Sequence, residues 1–261
     1  MNPEQQLLAY YQQNPSRTLP NAYWKTALQM SYAVLEVQTA PDGTLSALSV
    51  WHDRSLLAFW CHNAARHPLS PEQVERTAFA LVHADGLPMF HQGQFEHRRA
   101  YFRLAHTGEP PDFGCPPGFA YQEFDPTGDV LQAVDLIKTC YQDMNVTENI
   151  VRGWFEHPVY APELWVWIVD KTTGQKVGLG IGEFDPRVPE ASLEWIQVLP
   201  TYQGHGIGKA IVAELLRRVK GKVAFTTVSG EVENITKPEK LYRICGFTGQ
   251  DIWWMLTNRP A

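Results

Sequence analysis

Residues 193–209 constrain this chain more than any other stretch. Leu193, Trp195, Ile196, Val198 and Leu199 make a short apolar run that stops at Pro200. A glycine-rich passage follows, Gln203, Gly204, His205, Gly206, Ile207, Gly208 and Lys209, and then Ile207, Ile211, Leu215 and Val219 recur at the helical period. The pattern is strand, loop, helix. The first turn of a helix leaves backbone N–H groups without intrahelical acceptors at the positive end of the macrodipole. Glycines let that backbone approach an anion with no side chain between, so the loop reads as a phosphate cradle.

The glycine spacing selects among phosphate ligands. A dinucleotide fingerprint needs Gly or Ala where Ile211 stands, and a Walker loop needs Ser or Thr where Ala210 follows Lys209, so both motifs fail. The pattern Q/R-x-x-G-x-G/A is filled by Gln203, Gly206 and Gly208. Here the sequence resembles the GNAT superfamily of N-acetyltransferases, in which this loop holds the diphosphate of coenzyme A. A tight strand-to-helix turn without a ligand is the alternative.

The resemblance covers about residues 118–261. Asn234, Leu241, Tyr242, Gly246 and Phe247 look like the family's closing motif, N-x-x-A-x-x-L-Y-x-x-x-G-F, except that Pro238 lies within an Asn-to-Tyr interval of eight positions rather than seven. The element order agrees. Strands are expected at residues 119–124, 164–169, 177–184, 223–228 and 253–257, with helices over 129–144 and 147–157 and a short one to Cys245, opened by a Thr236–Glu239 capping box and stopped by Gly246. The implied fold is α/β (α+β): a mixed, mostly antiparallel, twisted sheet flanked by helices.

A chain of 261 residues accommodates two domains. Residues 107–118 hold four prolines and three glycines in twelve positions, which excludes helix and sheet interiors and marks the boundary. We therefore expect an N-terminal α+β domain over 1–115 and the GNAT-like domain over 118–261. In the first, strands are expected around residues 32–37, 45–51, 56–61 and 99–105, with a turn at Pro41, Asp42 and Gly43 and a helix from Ser70 to about Ala84. Strands, helix and strand in that order parallel the second domain, so the first is either a degenerate copy or an unrelated cap. The passage from Cys61 to Pro71 contains no G-x-G, so such a copy lacks the loop that would hold coenzyme A.

Several partner classes are excluded. A formal charge of −6 argues against a nucleic-acid backbone. No apolar run approaches the ~20 residues of a membrane span, and the polar start does not read as a signal peptide, so a cytoplasmic protein with no membrane partner is expected. Four widely separated cysteines suggest neither a disulfide framework nor a zinc site. Seven of nine histidines fall between His52 and His106, but none makes an i, i+4 pair around a glutamate, and His62 and His67 are five apart; no metal is expected. Self-association, a homodimer included, is left open.

Amide formation from a thioester needs the amine as its unprotonated base, donors for the developing oxyanion, and a proton for the departing thiolate. The resemblance implies that acetyl-coenzyme A, the cosubstrate, binds along the edge of Ile196, Gln197 and Val198 like an added strand. Its thioester carbonyl would face the backbone N–H of Val198, and its diphosphate the loop from Gln203 to Lys209. Strand alternation places Glu194 on the face of Ile196 and Val198, where a carboxylate would act as base. Glu183, or a water chain, is the alternative base, and Glu194 as a strand-end ion pair is the structural one. Tyr242, whose phenol stays protonated at neutral pH, would be the acid. Asn234 would bond the pantetheine arm or cap its own turn. The acceptor, a small-molecule or peptide amine, is not specified by the loops from Asp143 to Tyr160, which carry aromatics without a pattern. A non-catalytic acyl-coenzyme A module is the competing function.

Overall fold

A computed structural model of the chain describes residues 1–63, 69–141 and 144–258. In chain order the elements are α1 (Pro3–Gln13), α2 (Pro15–Thr18), α3 (Tyr23–Tyr32), β1 (Val34–Thr39), β2 (Leu45–His52), β3 (Ser55–Cys61), α4 (Pro71–Arg76), β4 (Phe79–His83) and β5 (His97–His106). Then come β6 (Phe119–Glu123), α5 (Val130–Cys140), α6 (Glu148–Trp154), β7 (Tyr160–Asp170), β8 (Lys176–Asp185), β9 (Glu190–Val198), α7 (Ile207–Val219), β10 (Phe225–Glu231), α8 (Pro238–Ile244) and β11 (Thr248–Thr257). Two compact units result. One is Met1–Ala105 with Ser229–Glu239 and the stretch from Thr248 on; the other is His106–Val228 with Lys240–Phe247. Each is a mixed, mostly antiparallel sheet flanked by helices.

In the first unit the strand order is β1-β2-β3-β4-β11-β5. The expected turn forms: Gly43 has φ +82°, and the Asp42 carboxylate accepts from the Thr44 N–H at 2.9 Å. The helix expected from Ser70 to Ala84 is shorter. It opens with the capping box read from the sequence, Ser70 with Gln73, but ends at Arg76. The Thr77 hydroxyl bonds back to the Gln73 carbonyl at 2.6 Å, and residues 79–83 leave as a strand with alternating burial. Ala80 and Val82, both fully buried, pair with β3 and β11, so tertiary pairing overrides the helical reading.

Strand β11 was also expected elsewhere. The sequence places residues 253–257 at the close of the second domain, whereas they pair antiparallel with β4 and β5 of the first unit. Trp253 and Leu256 are buried there, and the Trp253 indole donates to the Ser16 carbonyl at 2.8 Å.

The second unit runs β10-β9-β8-β7-β6. On one face of its sheet, α5 and α6 enclose Phe124, Trp165, Trp167, Leu179 and Ile181. Buried Asp129 at the start of α5 accepts from the Trp167 indole at 2.8 Å and pairs with the Lys176 ammonium. On the other face lies α7. A Cβ on Gly180 would stand 2.3 Å from a methyl of Ile211, so only glycine lets the helix lie this close to β8.

Candidate functional site

The loop is built by the strand that precedes it. β9 ends at Val198, Pro200–Tyr202 makes one 3-10 turn, and Gly206 becomes the N-cap of α7. Gly204 and Gly206 both have φ +83°, a conformation that side-chain-bearing residues adopt only with strain. No side chain caps α7. Two exposed side chains of the loop bond neighbouring main chain: the Gln203 amide donates to the Val198 carbonyl at 3.2 Å, and His205 Nδ1 lies 3.1 Å from the carbonyls of Tyr202 and Gln203. The main chain of Ile207, Gly208 and Lys209 is thus the group presented at the positive end of a thirteen-residue helix. Lys209 holds its ammonium 5.0 Å from the Phe113 ring.

Beside this loop the sheet opens. The parallel ladder between β9 and β10 spans four pairs and stops at Leu193 opposite Val228, yet β9 runs on to Val198. Over residues 195–198 β9 is laddered, among the described residues, to β8 alone. An extended ligand that leaves the glycine loop has an edge of strand to follow, along Ile196, Gln197 and Val198.

The strand is not regular. Ile181 lies opposite Trp195 and Gly182 opposite Leu193, so Glu194 is the extra residue of a β-bulge. This corrects the alternation argument, because the bulge breaks the period of two between Glu194 and Ile196. Beyond it, Ile196 and Val198 lie opposite Gly180 and Gly178 toward α7, while Trp195 and Gln197 lie opposite Ile181 and Leu179 toward α5 and α6.

Tyr242 is buried on α8 against Phe247, with ring centroids 5.7 Å apart. Burial first, then the acidic groups of Tyr141, Cys245 and Glu194, hold its phenol well above the ordinary value. It therefore keeps its proton at neutral pH. Gly246, at φ +91°, ends α8 as expected. Glu183 is engaged otherwise: it accepts from the Ser192 hydroxyl at 3.1 Å and faces His157 Nδ1 at 3.7 Å.

Asn234 is engaged within its own turn. Its side-chain oxygen accepts from the Thr236 N–H at 2.9 Å and from the Thr236 hydroxyl at 2.7 Å. The Thr236 hydroxyl thus donates to Asn234, and α8 begins two residues later at Pro238. Among the described residues no three His, Cys, Asp or Glu side chains converge as metal ligands; His67 and Asp143 lie outside those residues. No described helix is long and apolar enough to cross a membrane.

Two features escaped the sequence reading. The glycines at 178 and 180 share one strand face, a signal visible as alternate glycines in an otherwise apolar run. The aromatics Tyr141 and Trp154 meet on a common partner, Trp195, at 6.0 and 5.5 Å, and Phe155 and Tyr160 meet on Trp165 at 5.1 and 5.8 Å. They form a half-buried aromatic floor beside the bulge.

A strand that parts from its parallel neighbour just ahead of a glycine loop and a helix N-terminus defines a GNAT-type domain. Residues 162–249 match the family described as acetyltransferase (GNAT) domain. No curated protein sequence matches the chain. Among solved structures, a GCN5-related N-acetyltransferase from Sphaerobacter thermophilus is similar over 91% of this chain and 86% of its own, with 18% identity and a TM-score of 0.67. A GNAT-family acetyltransferase from Colwellia psychrerythraea is similar over 98% of this chain and 97% of its own, with 13% identity and a TM-score of 0.62. A tandem GNAT protein from the clavulanic acid biosynthesis pathway is similar over 99% of this chain and 95% of its own, with 13% identity and a TM-score of 0.58. At these identities the likeness is one of fold, and it fits a two-domain GNAT layout.

Proposed function

We propose that this protein is an N-acetyltransferase that moves an acetyl group from acetyl-coenzyme A directly to a primary amine of a small molecule or peptide. One observation carries the reading: the open edge of β9 at residues 195–198 leads into an uncapped glycine N-terminus. The donor supplies the activated acyl carbon. The chain supplies the rest. Amides of Ile207, Gly208 and Lys209 hold the diphosphate, the edge of Ile196, Gln197 and Val198 holds the pantetheine arm, and the Val198 N–H is the oxyanion donor.

Glu194 takes the proton of the incoming amine, directly or through water, and Tyr242 gives one to the departing sulfur. The aromatic floor of Tyr141, Trp154 and Trp195 receives the acceptor. The test offers the purified chain acetyl-coenzyme A and a panel of amines and follows thiol release. Release that depends on an amine and falls in Tyr242→Phe supports the reading. Binding without release for any amine favours the non-catalytic acyl-coenzyme A module.

A further inference from the structure

Gln197 is 3% exposed, and neither its Oε1 nor its Nε2 has a hydrogen-bond partner among the described residues. A buried carboxamide left so is costly, and an apolar side chain of the same size would serve a purely structural role better. Its surroundings are otherwise engaged. Leu179 lies opposite it, and the Cys140 thiol bonds the next carbonyl, that of Val198, at 3.5 Å. Gln197 also sits in the stretch where β9 has parted from β10, between the bulge at Glu194 and the glycine loop. Anything that reaches from that loop toward Glu194 passes this residue.

We infer that the Gln197 carboxamide is a donor-recognition group that pairs with a secondary amide of the pantetheine arm. A carboxamide offers an acceptor oxygen and donor N–H groups together. An ammonium could satisfy only the oxygen and a carboxylate only the nitrogen; a secondary amide answers both. The pantetheine arm carries such amides over the span between diphosphate and thioester. This inference rests on the acetyl-coenzyme A reading above and adds to it a side chain that selects the arm rather than the nucleotide.

Calorimetric titration of the full chain with coenzyme A and with 3′-phospho-ADP, which keeps the diphosphate and lacks the amides, tests it. In Gln197→Met, and in Gln197→Leu as a second apolar variant, the Kd for coenzyme A should rise roughly tenfold. The Kd for 3′-phospho-ADP should stay unchanged, and the melting temperature without ligand should not fall. Unaltered coenzyme A affinity in both variants, with binding intact in the parent chain, overturns the role of Gln197 alone. Equal weakening of both ligands, or a lowered melting temperature without ligand, also overturns it, because the amide would then act inside the protein. No binding of coenzyme A by the parent chain removes this inference together with the reading beneath it.

Discussion

Two crossovers of like topology end differently in this chain. In the first unit, antiparallel β1, β2 and β3 lead through α4 to β4, which returns parallel to β3. In the second, antiparallel β7, β8 and β9 lead through α7 to β10, which returns parallel to β9. The helices between them begin in opposite ways. Ser70 accepts from the Gln73 N–H at 3.2 Å, and the Gln73 side chain accepts from the Ser70 N–H at 2.8 Å, so α4 has its leading amides occupied by its own residues. At α7 the N-cap is Gly206, which has no side chain to offer. The same strand–helix–strand frame thus carries a side-chain-capped helix end in one unit and an uncapped one in the other. The cap residue, not the topology, makes the difference.

The comparison breaks most sharply at Gly206. Aspartate there meets a positive φ and sets a carboxylate where an anion should bind. The strain of the left-handed backbone and the lost charge-assisted bonds together amount to roughly 3 kcal/mol. In Gly206→Asp the Kd for coenzyme A should rise about 100-fold by calorimetry. Should affinity survive this change, α7 is no more a phosphate site than α4.

Next in size is Tyr242→Phe, which should lower kcat by roughly 10- to 100-fold with little change in the KM for acetyl-coenzyme A, at or below the lower end of a general-acid contribution. Its pH profile sharpens the point. Burial raises the Tyr242 pKa, so its proton stays on as pH climbs past the ordinary phenol value of about 10. An alkaline fall in rate below about pH 10 must then come from another group and persist in Tyr242→Phe. A parent-only fall in that range would assign Tyr242 a different role.

How much of this was legible depends on how local each feature is. The glycine loop was readable because positive φ at Gly204 and Gly206 and the helix that follows are set within a few residues. The stop of α8 at Gly246 was readable for the same reason. The bulge at Glu194 was not, since it is a mismatch between two strands: neither β8 nor β9 carries it alone. The placement of β11 was not either, because alternating apolar residues fit any sheet with a vacant position, and the bonds of Trp253 and its neighbours to β4 and β5 decide it. The length of α4 was lost in the same way, residues 79–83 being as compatible with helix as with strand until they pair with β3 and β11.

Packing offers a smaller contrast. α7 lies so close to its sheet that a Cβ on Gly180 would enter Ile211 and approach Leu215 to 3.2 Å. Gly180→Ala should therefore destabilise the chain by about 2 kcal/mol, measured by denaturant midpoint, the usual cost of overpacking. A neutral result would mean that α7 can slide outward, and that its N-terminus is not held where the ligand needs it.

The smallest effect separates the two helix ends from the other side. Ser70→Ala removes the acceptor that serves the Gln73 N–H and should cost about 1 kcal/mol of stability. The affinity for coenzyme A should not change, because on the proposed reading the ligand is held at the open end of α7 and not at the capped end of α4. If Ser70→Ala instead weakened binding of coenzyme A as much as it weakened the fold, the start of α4 would have a part in the site, and the two crossovers would differ less than their caps imply.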